Sequence, residues 1–424
     1  MGRRIVITGL GVVSPNGVGV PEFLHSIQHG VSGIRFMPQY EALNFNCQVA
    51  GMPYFEWDTL KNYVSEITFH GLKGKAIGYG IKAALDAWTD AGNLIGNDQT
   101  LWETGCVFGS SVADVEVVKN VITRVDSGEA KKLGSRVVEQ LMNSSVAAYI
   151  SGRLGFGNKI VANSAACATG TQAILMGYEY IKHGLARRML VGSCEHVDPY
   201  IFGAFDSMRI LSRKFNQSPE KASRPMSQSA CGFVPGSGAG ALILEDLEFA
   251  LERKATIYAE IAGGANNSGG QRRGGSMTAP GSPGIIRCIT DALADSGIGA
   301  ESIDLISGHL TATAADKMEI QNWGLALGRN GRNFPAINSL KSMIGHCLSA
   351  AGSIEAIAVV LQIWHQFVHP NINLEDPNPE ILETINMECL PTTMIKKEIN
   401  TVAKANFGFG DVNTCLIFSK YNNG

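Results

Sequence analysis

At 424 residues, with 45% hydrophobic and 17% charged residues, the chain is long enough to bury a large core and to form two domains. A net charge of −3 gives nucleic acid or an anionic membrane nothing to attract, and neither is expected as a partner. Nine cysteines, an odd number with no Cys-x-x-Cys pair, argue for a reducing cytoplasm and against a disulfide framework or a zinc cluster.

Met1-Gly2-Arg3-Arg4 leads straight into Ile5-Val6-Ile7-Thr8, which predicts a first strand rather than a signal peptide. No apolar run reaches about 18 residues, so no membrane-spanning helix is expected. A helix pattern ending at Ala84–Gly92 precedes a short strand, Gly105–Phe108. The segment Glu116–Ala147 is mostly helical in pattern, with Lys131-Lys132 in its middle, and reads as an insertion suited to dimer contacts or pocket lining. Ile160 to Ala162 predicts a buried strand, small residues around Cys167 follow, and Ile174, Tyr178 and Ile181 recur at helical spacing until Gly184. Cys167 is thus expected at a strand-to-helix junction, where unpaired amides and the helix dipole favour a thiolate. A buried cysteine packing as a small hydrophobe fits the same local pattern.

Strand and helix patterns alternate throughout, so the fold class is α/β. The halves also match in order. Arg4–Thr8 pairs with Thr256–Ala262, the helix ending at Gly92 with one ending at Gly297, and Gly105–Phe108 with Leu305–Ser307. Ala162-Asn163-Ser164 before the Cys167 helix matches Ile337-Asn338-Ser339 before the helix Ser349–Gln366, and Gly236–Leu244 matches Gly408–Phe418. Together these predict an internal duplication with its seam near residues 245–256. Copies related by a pseudo-twofold axis would place Cys167 opposite loops around 309, 340–346 and 406–410.

His309, in Ser307-Gly308-His309-Leu310-Thr311-Ala312-Thr313, and His346, at the end of Lys341-Ser342-Met343-Ile344-Gly345-His346, both stand at strand exits or helix entries. Cysteine and two histidines without local ligand spacing fit covalent catalysis better than a metal site. The thiolate would carry an acyl group and the imidazoles would stabilise an enolate. Lys341, in an otherwise uncharged loop, would balance charge or orient a histidine. Asn406-Phe407-Gly408-Phe409-Gly410-Asp411 predicts a sharp turn, one of whose N–H groups would join that of Cys167 in an oxyanion hole. Pro370 to Pro391 reads as extended surface chain.

With these residues in place, the chain resembles the β-ketoacyl-acyl carrier protein synthases, the condensing enzymes of fatty acid and type II polyketide synthesis. The resemblance runs nearly end to end, through Val6–Gly17, the Ser164–Gly170 elbow, His309, Lys341–His346 with Ala350-Ala351-Gly352, and Asn406–Gly410. It implies a thiolase-like fold, a duplicated α/β unit in five layers (αβαβα). Residues 1–250 would form the half with the nucleophile and 251–424 the half with both histidines. By the same resemblance Cys167 is the acylated nucleophile, and His309 and His346 drive decarboxylation of a malonyl thioester. Lys341 supports them with Glu319 as its partner, and Phe407 is the gating phenylalanine whose N–H completes the oxyanion hole. Thr311 and Thr313 hold the phosphopantetheine arm, Val112 shapes the acyl pocket, and Lys131, Lys132 and Arg209 dock an acidic acyl carrier protein, with Lys73 a weaker candidate. No metal or organic cofactor is implied. The partner chain is an identical copy or a homologous chain-length factor, in the cytoplasm.

The chain departs from the family's pattern at Leu310, which is expected to narrow the space beside His309, and at Ser237, Ala230-Cys231 and Asp411-Val412. These losses hint at a specialised polyketide or polyene synthase. Competing readings are a non-catalytic chain-length partner, a thiolase, and an acyltransferase that stops at the acyl-cysteine.

Overall fold

A computed structural model describes residues 2–422 except 97 and 113. Its core strands from the first half are β1 (Ile5–Ser14), β2 (Thr104–Gly109), β3 (Ile160–Val161), β4 (Arg188–Glu195) and β5 (Gly238–Asp246). Those from the second are β6 (Ala259–Ser268), β7 (Leu305–Ser307), β8 (Ala336–Asn338), β9 (Thr401–Gly408) and β10 (Val412–Ser419). They lie in one mixed sheet in the order β8-β7-β9-β10-β6-β1-β5-β4-β2-β3, and an eleventh strand, Gly17–Val18, folds back on β1.

Read outward from the antiparallel β1–β6 seam, the two halves are copies. Each has two antiparallel pairings, β1–β5–β4 and β6–β10–β9, followed by two parallel ones, β4–β2–β3 and β9–β7–β8. Every correspondence predicted from sequence lies at equivalent places in this order. The match of β4 with β9 is an addition that only the structure reveals. The strand predicted at Ile160 is present but not buried. It is the free edge of the sheet, and Ile160 is exposed.

Six helices complete the layers: α1 (Lys75–Asp90), α2 (Ser145–Leu154), α3 (Thr169–Lys182), α4 (Ser282–Ser296), α5 (Asp316–Leu327) and α6 (Ala351–His365). Side chains alternate across each strand, so neighbouring residues feed different layers. On β5, Ile243 packs outward with Leu85 and Trp88 of α1, while Leu244 packs inward with Ile174 and Tyr178 of α3. On β10, Leu416 faces the inner layer and Ile417 the outer one, with Ile289 of α4 and Trp323 of α5. The central layer is α3 and α6, giving α1/α2, strands, α3/α6, strands, α4/α5.

Helix α6 is apolar around its whole circumference, as a helix enclosed on all sides must be. With the turn before it, Leu348–His365 reaches the length and hydropathy of a membrane span, contrary to the expectation that no run would. It is 89% buried inside the protein, and that burial explains its composition.

The two central helices touch at their N-termini through glycine. A Cβ on Gly352 would lie 2.4 Å from the Thr171 amide nitrogen, and one on Gly170 would lie 2.5 Å from that of Ser353. Each helix is entered through a short 3-10 turn, Ala166–Ala168 for α3 and Leu348–Ala350 for α6. Each turn opens on a non-glycine residue with positive φ, Ala166 at 47° and Leu348 at 46°. This strained conformation is stored at equivalent places in both copies.

Candidate active site

Cys167 is the middle residue of the first of these turns, just ahead of α3. His309 follows β7, and His346 follows the short helix Lys341–Ile344 that leaves β8. The pseudo-twofold arrangement brings all three together: one ligand-type atom from each lies within 4.8 Å of the others. The histidine rings stand edge to face with centroids 5.3 Å apart. They line a cavity of about 510 Å³ whose walls include Val112, Phe205, Met208, Phe233, Thr311, Thr313 and Phe409.

The local environment does not favour the thiolate as the sequence suggested. Burial pushes the Cys167 thiol up to about 11. Lys341 and two backbone N–H groups, those of Phe409 and of Cys167 itself, pull in the other direction without prevailing. Both amides act on the Cys167 sulfur, and a pair of backbone donors at a nucleophile is what stabilises a tetrahedral oxyanion. The turn thus supplies an amide as expected, but from Phe409, not Phe407. Phe407 is a buried residue within β9, paired opposite Asn413, and its ring packs against His309 with centroids 6.0 Å apart. Phe409 lies one residue beyond the strand end, where the chain turns back over the cysteine. Gly408 permits the approach, since a Cβ there would lie 2.8 Å from the Ala165 carbonyl oxygen.

Leu348 donates its backbone N–H to His346 Nδ1 at 3.2 Å. His346 Nε2 is buried and has no hydrogen-bond partner among the described residues. With Nδ1 accepting, the neutral ring carries its proton on Nε2. Burial first, and Lys341 next, hold this imidazole down to about 3, so it is neutral at physiological pH. His309 is also held well below its ordinary value by burial, then by Lys341, His346 and Lys404.

Lys341 does not pair with Glu319. Its ammonium bonds Glu355 Oε1, on α6, and both side chains are almost fully buried. A second buried cation, Lys404 on β9, bonds Glu355 Oε2 at 3.0 Å. Burial alone would raise the Glu355 carboxyl, but the two lysines overcome it and hold it near 2. Glu319, on α5, instead accepts the backbone N–H groups of His309 at 2.6 Å and Leu310 at 2.7 Å, bracing the histidine loop from behind. Asp316 does the same one turn earlier, accepting from Thr311 at 2.8 Å and Ala312 at 3.1 Å. Thr311 and Thr313 thereby stand side by side on the cavity wall, their hydroxyls 3.0 Å apart.

Leu310 does not narrow the cavity. Its side chain is fully buried in the outer apolar layer with Ile306 and Trp323, because successive residues of an extended segment point opposite ways. Asp411, another departure, has a definite place. Its carboxylate accepts the amides of Gln271 and Gly281, each at 2.9 Å, and so ties down the loop whose Thr278, Ala279 and Pro280 line the cavity. Ser237 is buried and accepts the Val197 amide at 2.9 Å. Val112 lines the same cavity as Cys167 and is partly exposed. Arg209 lies between the wall residues Met208 and Ile210. Lys132 is ion-paired with Glu129 and lines a second cleft, which it shares with Lys73; Lys131 is beside it on the same turn.

Glu355 and Lys404 are site residues that the sequence reading does not single out, and Asn406 enters it only as the first residue of the candidate turn. The signal was present: Glu355 is the lone acid in an apolar helix and Lys404 the lone base in the apolar run Val402–Ala405. Isolated opposite charges in buried elements require each other.

Comparison with known proteins agrees with this geometry. Residues 2–250 match the model of the Beta-ketoacyl synthase N-terminal domain, and residues 258–375 that of its C-terminal domain. The chain is 33% identical over 420 residues to 3-oxoacyl-[acyl-carrier-protein] synthase 2 of Vibrio harveyi, covering 99% of each protein. It is 34% identical over 427 residues to synthase 1 of Haemophilus influenzae, covering 99% of this chain and all of the other. Among solved structures it resembles a beta-ketoacyl synthase from Burkholderia phymatum (TM-score 0.90, 30% identity, 99% and 100% covered). It also resembles a type II polyketide ketosynthase solved with its acyl-carrier protein (0.87, 31%, both chains covered in full) and the ishigamide ketosynthase/chain length factor (0.88, 28%, both covered in full).

Proposed function

This chain belongs to the beta-ketoacyl synthase family, and from that premise we propose that it condenses an acyl group, held as a thioester on Cys167, with a malonyl group on acyl carrier protein. The observation that carries the reading is the meeting of the Cys167 thiol with the His309 and His346 imidazoles, one atom of each within 4.8 Å of the others. Family chemistry proceeds through a cysteine thioester, and these residues suffice for it.

The first half-reaction is thioester exchange. Cys167 sulfur attacks the acyl carbonyl carbon, and the Phe409 and Cys167 amides hold the oxygen as it becomes anionic. The carbon–sulfur bond to phosphopantetheine breaks, and the proton lost from Cys167 ends on the departing thiol. In the second, the malonyl carbon–carbon bond breaks and CO₂ leaves. Its electron pair forms an enolate whose oxygen receives hydrogen bonds from His346 and His309. The enolate carbon then attacks the Cys167 thioester, a carbon–carbon bond forms, and the cysteine leaves as thiolate. Thr311 and Thr313 would hold the phosphopantetheine arm between mouth and cysteine, and Val112 would border the acyl chain. The proposal divides the chain at 250/251, with the nucleophile on one side and both imidazoles on the other.

Acyl carrier protein is the proposed carrier, docked near Lys131, Lys132 and Arg209, and the partner is a second copy or a homologous chain-length factor. A ketosynthase in complex with its acyl-carrier protein and a ketosynthase/chain length factor both occur among the structures that this chain resembles. A specialised polyketide or polyene pathway in the cytoplasm is the reading we favour, on Asp411 and the other departures. The deciding experiment incubates the protein with malonyl carrier protein and acyl primers of graded length, and follows carrier-bound products by intact mass. CO₂ and a product two carbons longer support condensation. Acylated Cys167 with no CO₂ would reduce the activity to acyl transfer. Product formation that survives Cys167→Ala would reject the nucleophile.

A further inference from the structure

The buried polar groups behind His309 form a chain in which each donor is assigned by the next. Lys404 Nζ has only hydrogens to give, and it bonds Asn406 Oδ1. The hydroxyl of Thr171, on the cysteine's own helix, bonds the same oxygen. Lys404 also donates to that hydroxyl at 3.1 Å and to Glu355 Oε2 at 3.0 Å. The Asn406 carboxamide is therefore fixed with its oxygen towards Lys404 and its nitrogen away. Nδ2 gives one hydrogen to Glu355 Oε2 at 2.9 Å. It lies 3.1 Å from His309 Nδ1. Because Nδ2 carries only hydrogens, His309 Nδ1 must present its lone pair, and the neutral ring's proton must sit on Nε2.

We propose that Asn406, its carboxamide oriented by Lys404, is a positioning residue that fixes His309 as the Nε2–H tautomer and so makes it the second hydrogen-bond donor to the enolate. The inference rests on the condensation reading for its consequence, but not for its geometry. The two histidines are set by different devices. His346 takes its tautomer from a backbone amide, Leu348 N–H, which no side-chain substitution removes. His309 takes its tautomer from a side chain, and that side chain is held by a lysine in the middle of a strand. Without Asn406 the bond that keeps Nδ1 an acceptor is lost, and a proton on Nδ1 would leave Nε2 a lone pair facing the developing oxyanion.

The test is the isosteric Asn406→Asp, which keeps the volume and reverses the bond, because a carboxylate can only accept. Three quantities are measured: the ¹⁵N shifts of His309 in histidine-labelled protein, assigned with His309→Gln; acylation of Cys167 by intact mass; and CO₂ release from malonyl carrier protein. In wild type, His309 is expected to show an unprotonated Nδ1 and a protonated Nε2. In Asn406→Asp the two exchange, Cys167 is still acylated, and CO₂ release falls by about 10²–10³-fold, the loss of one oxyanion donor. Lys404→Met, which removes one of the two donors on Asn406 Oδ1 and so weakens the carboxamide's orientation, should show both tautomers and an intermediate rate. If Asn406→Asp does not fold, Asn406→Ser, too short to span to Nδ1, takes its place with the same readouts. Unchanged His309 shifts, or CO₂ release at the wild-type rate in a variant whose tautomer has exchanged, overturns the proposal. A wild-type protein that releases no CO₂ rejects condensation and leaves the tautomer assignment to the ¹⁵N measurement alone.

Discussion

His346 Nδ1 accepts the Leu348 amide two residues along the chain, so its Nε2 proton is directed at the cavity by the backbone itself. His346→Ala should therefore lower CO₂ release by about 10²–10³-fold, the usual consequence of losing one oxyanion donor, while Cys167 still accepts an acyl group. Single-turnover acylation and malonyl decarboxylation, measured separately, check this. Equal losses in both steps would mean that His346 serves the cysteine instead.

Cys167 should titrate late. With its thiol pushed by burial to about 11, the thiolate fraction rises about tenfold per pH unit across the neutral range. The rate of iodoacetamide alkylation at Cys167, followed by peptide mass spectrometry, should climb steadily from pH 7 to 9.5. A plateau below pH 8 would show a thiolate already formed.

Lys341→Met removes one of the two cations on Glu355 and leaves a buried carboxylate half compensated. Breaking a buried pair costs about 3–5 kcal/mol, and the low end is expected because Lys404 remains. Denaturant unfolding measures it. The sign with pH follows from the Glu355 carboxyl, held near 2 in the fold against an ordinary 4.5. Its contribution is present above 4.5 and is lost as pH falls towards 2, so the gap between wild type and Lys341→Met should close in acid.

Glu195 behaves the opposite way. It is buried at the end of β4, with the hydroxyls of Ser111 and Ser349 as partners. Burial raises its carboxyl to about 7 despite those bonds. A raised carboxyl stabilises the fold fully below 4.5, and that stability is lost as pH rises through 7. Glu195→Gln should thus match wild type in Tm near pH 4.5 and exceed it at pH 8. A difference that does not grow with pH refutes the assignment.

Gly352→Ala forces a methyl group into the contact between α3 and α6, where it would lie 2.4 Å from backbone. Overpacking of this kind costs about 1–3 kcal/mol. Because the two elbows are held together there, acylation of Cys167 should slow as well. Calorimetry together with the acylation rate tests the coupling.

The duplication was legible because it is written in patterns: strand, Gly-rich loop and small-residue helix recur in register, and a repeat in sequence becomes a symmetry in space. Cys167, His309 and His346 were legible because they stand at the ends of those elements. What escaped was detail set by alternation and reach. Whether Phe407 or Phe409 turns its amide to the sulfur depends on where β9 ends. Leu310 looked like an obstacle only because its direction, away from the cavity, is a property of backbone phase. The family resemblance makes Glu319 the partner of Lys341, whereas the partner in the structure, Glu355, arrives from the other side of the sheet on α6. Lone charges in apolar elements were the available clue to Glu355 and Lys404.

The two strained turns of the central layer are twins, and their middle residues, Cys167 and Ser349, are counterparts across the axis. The resemblance ends there. The Ser349 hydroxyl is engaged by Glu195 Oε2 and by the Cys194 carbonyl oxygen, each at 2.7 Å. One elbow kept a free reagent at its tip; the other became a strut. Cys167 from the first half and His309 and His346 from the second therefore equip a single site, while the equivalent elbow at Ser349 serves as scaffolding: a symmetric frame carries an asymmetric function.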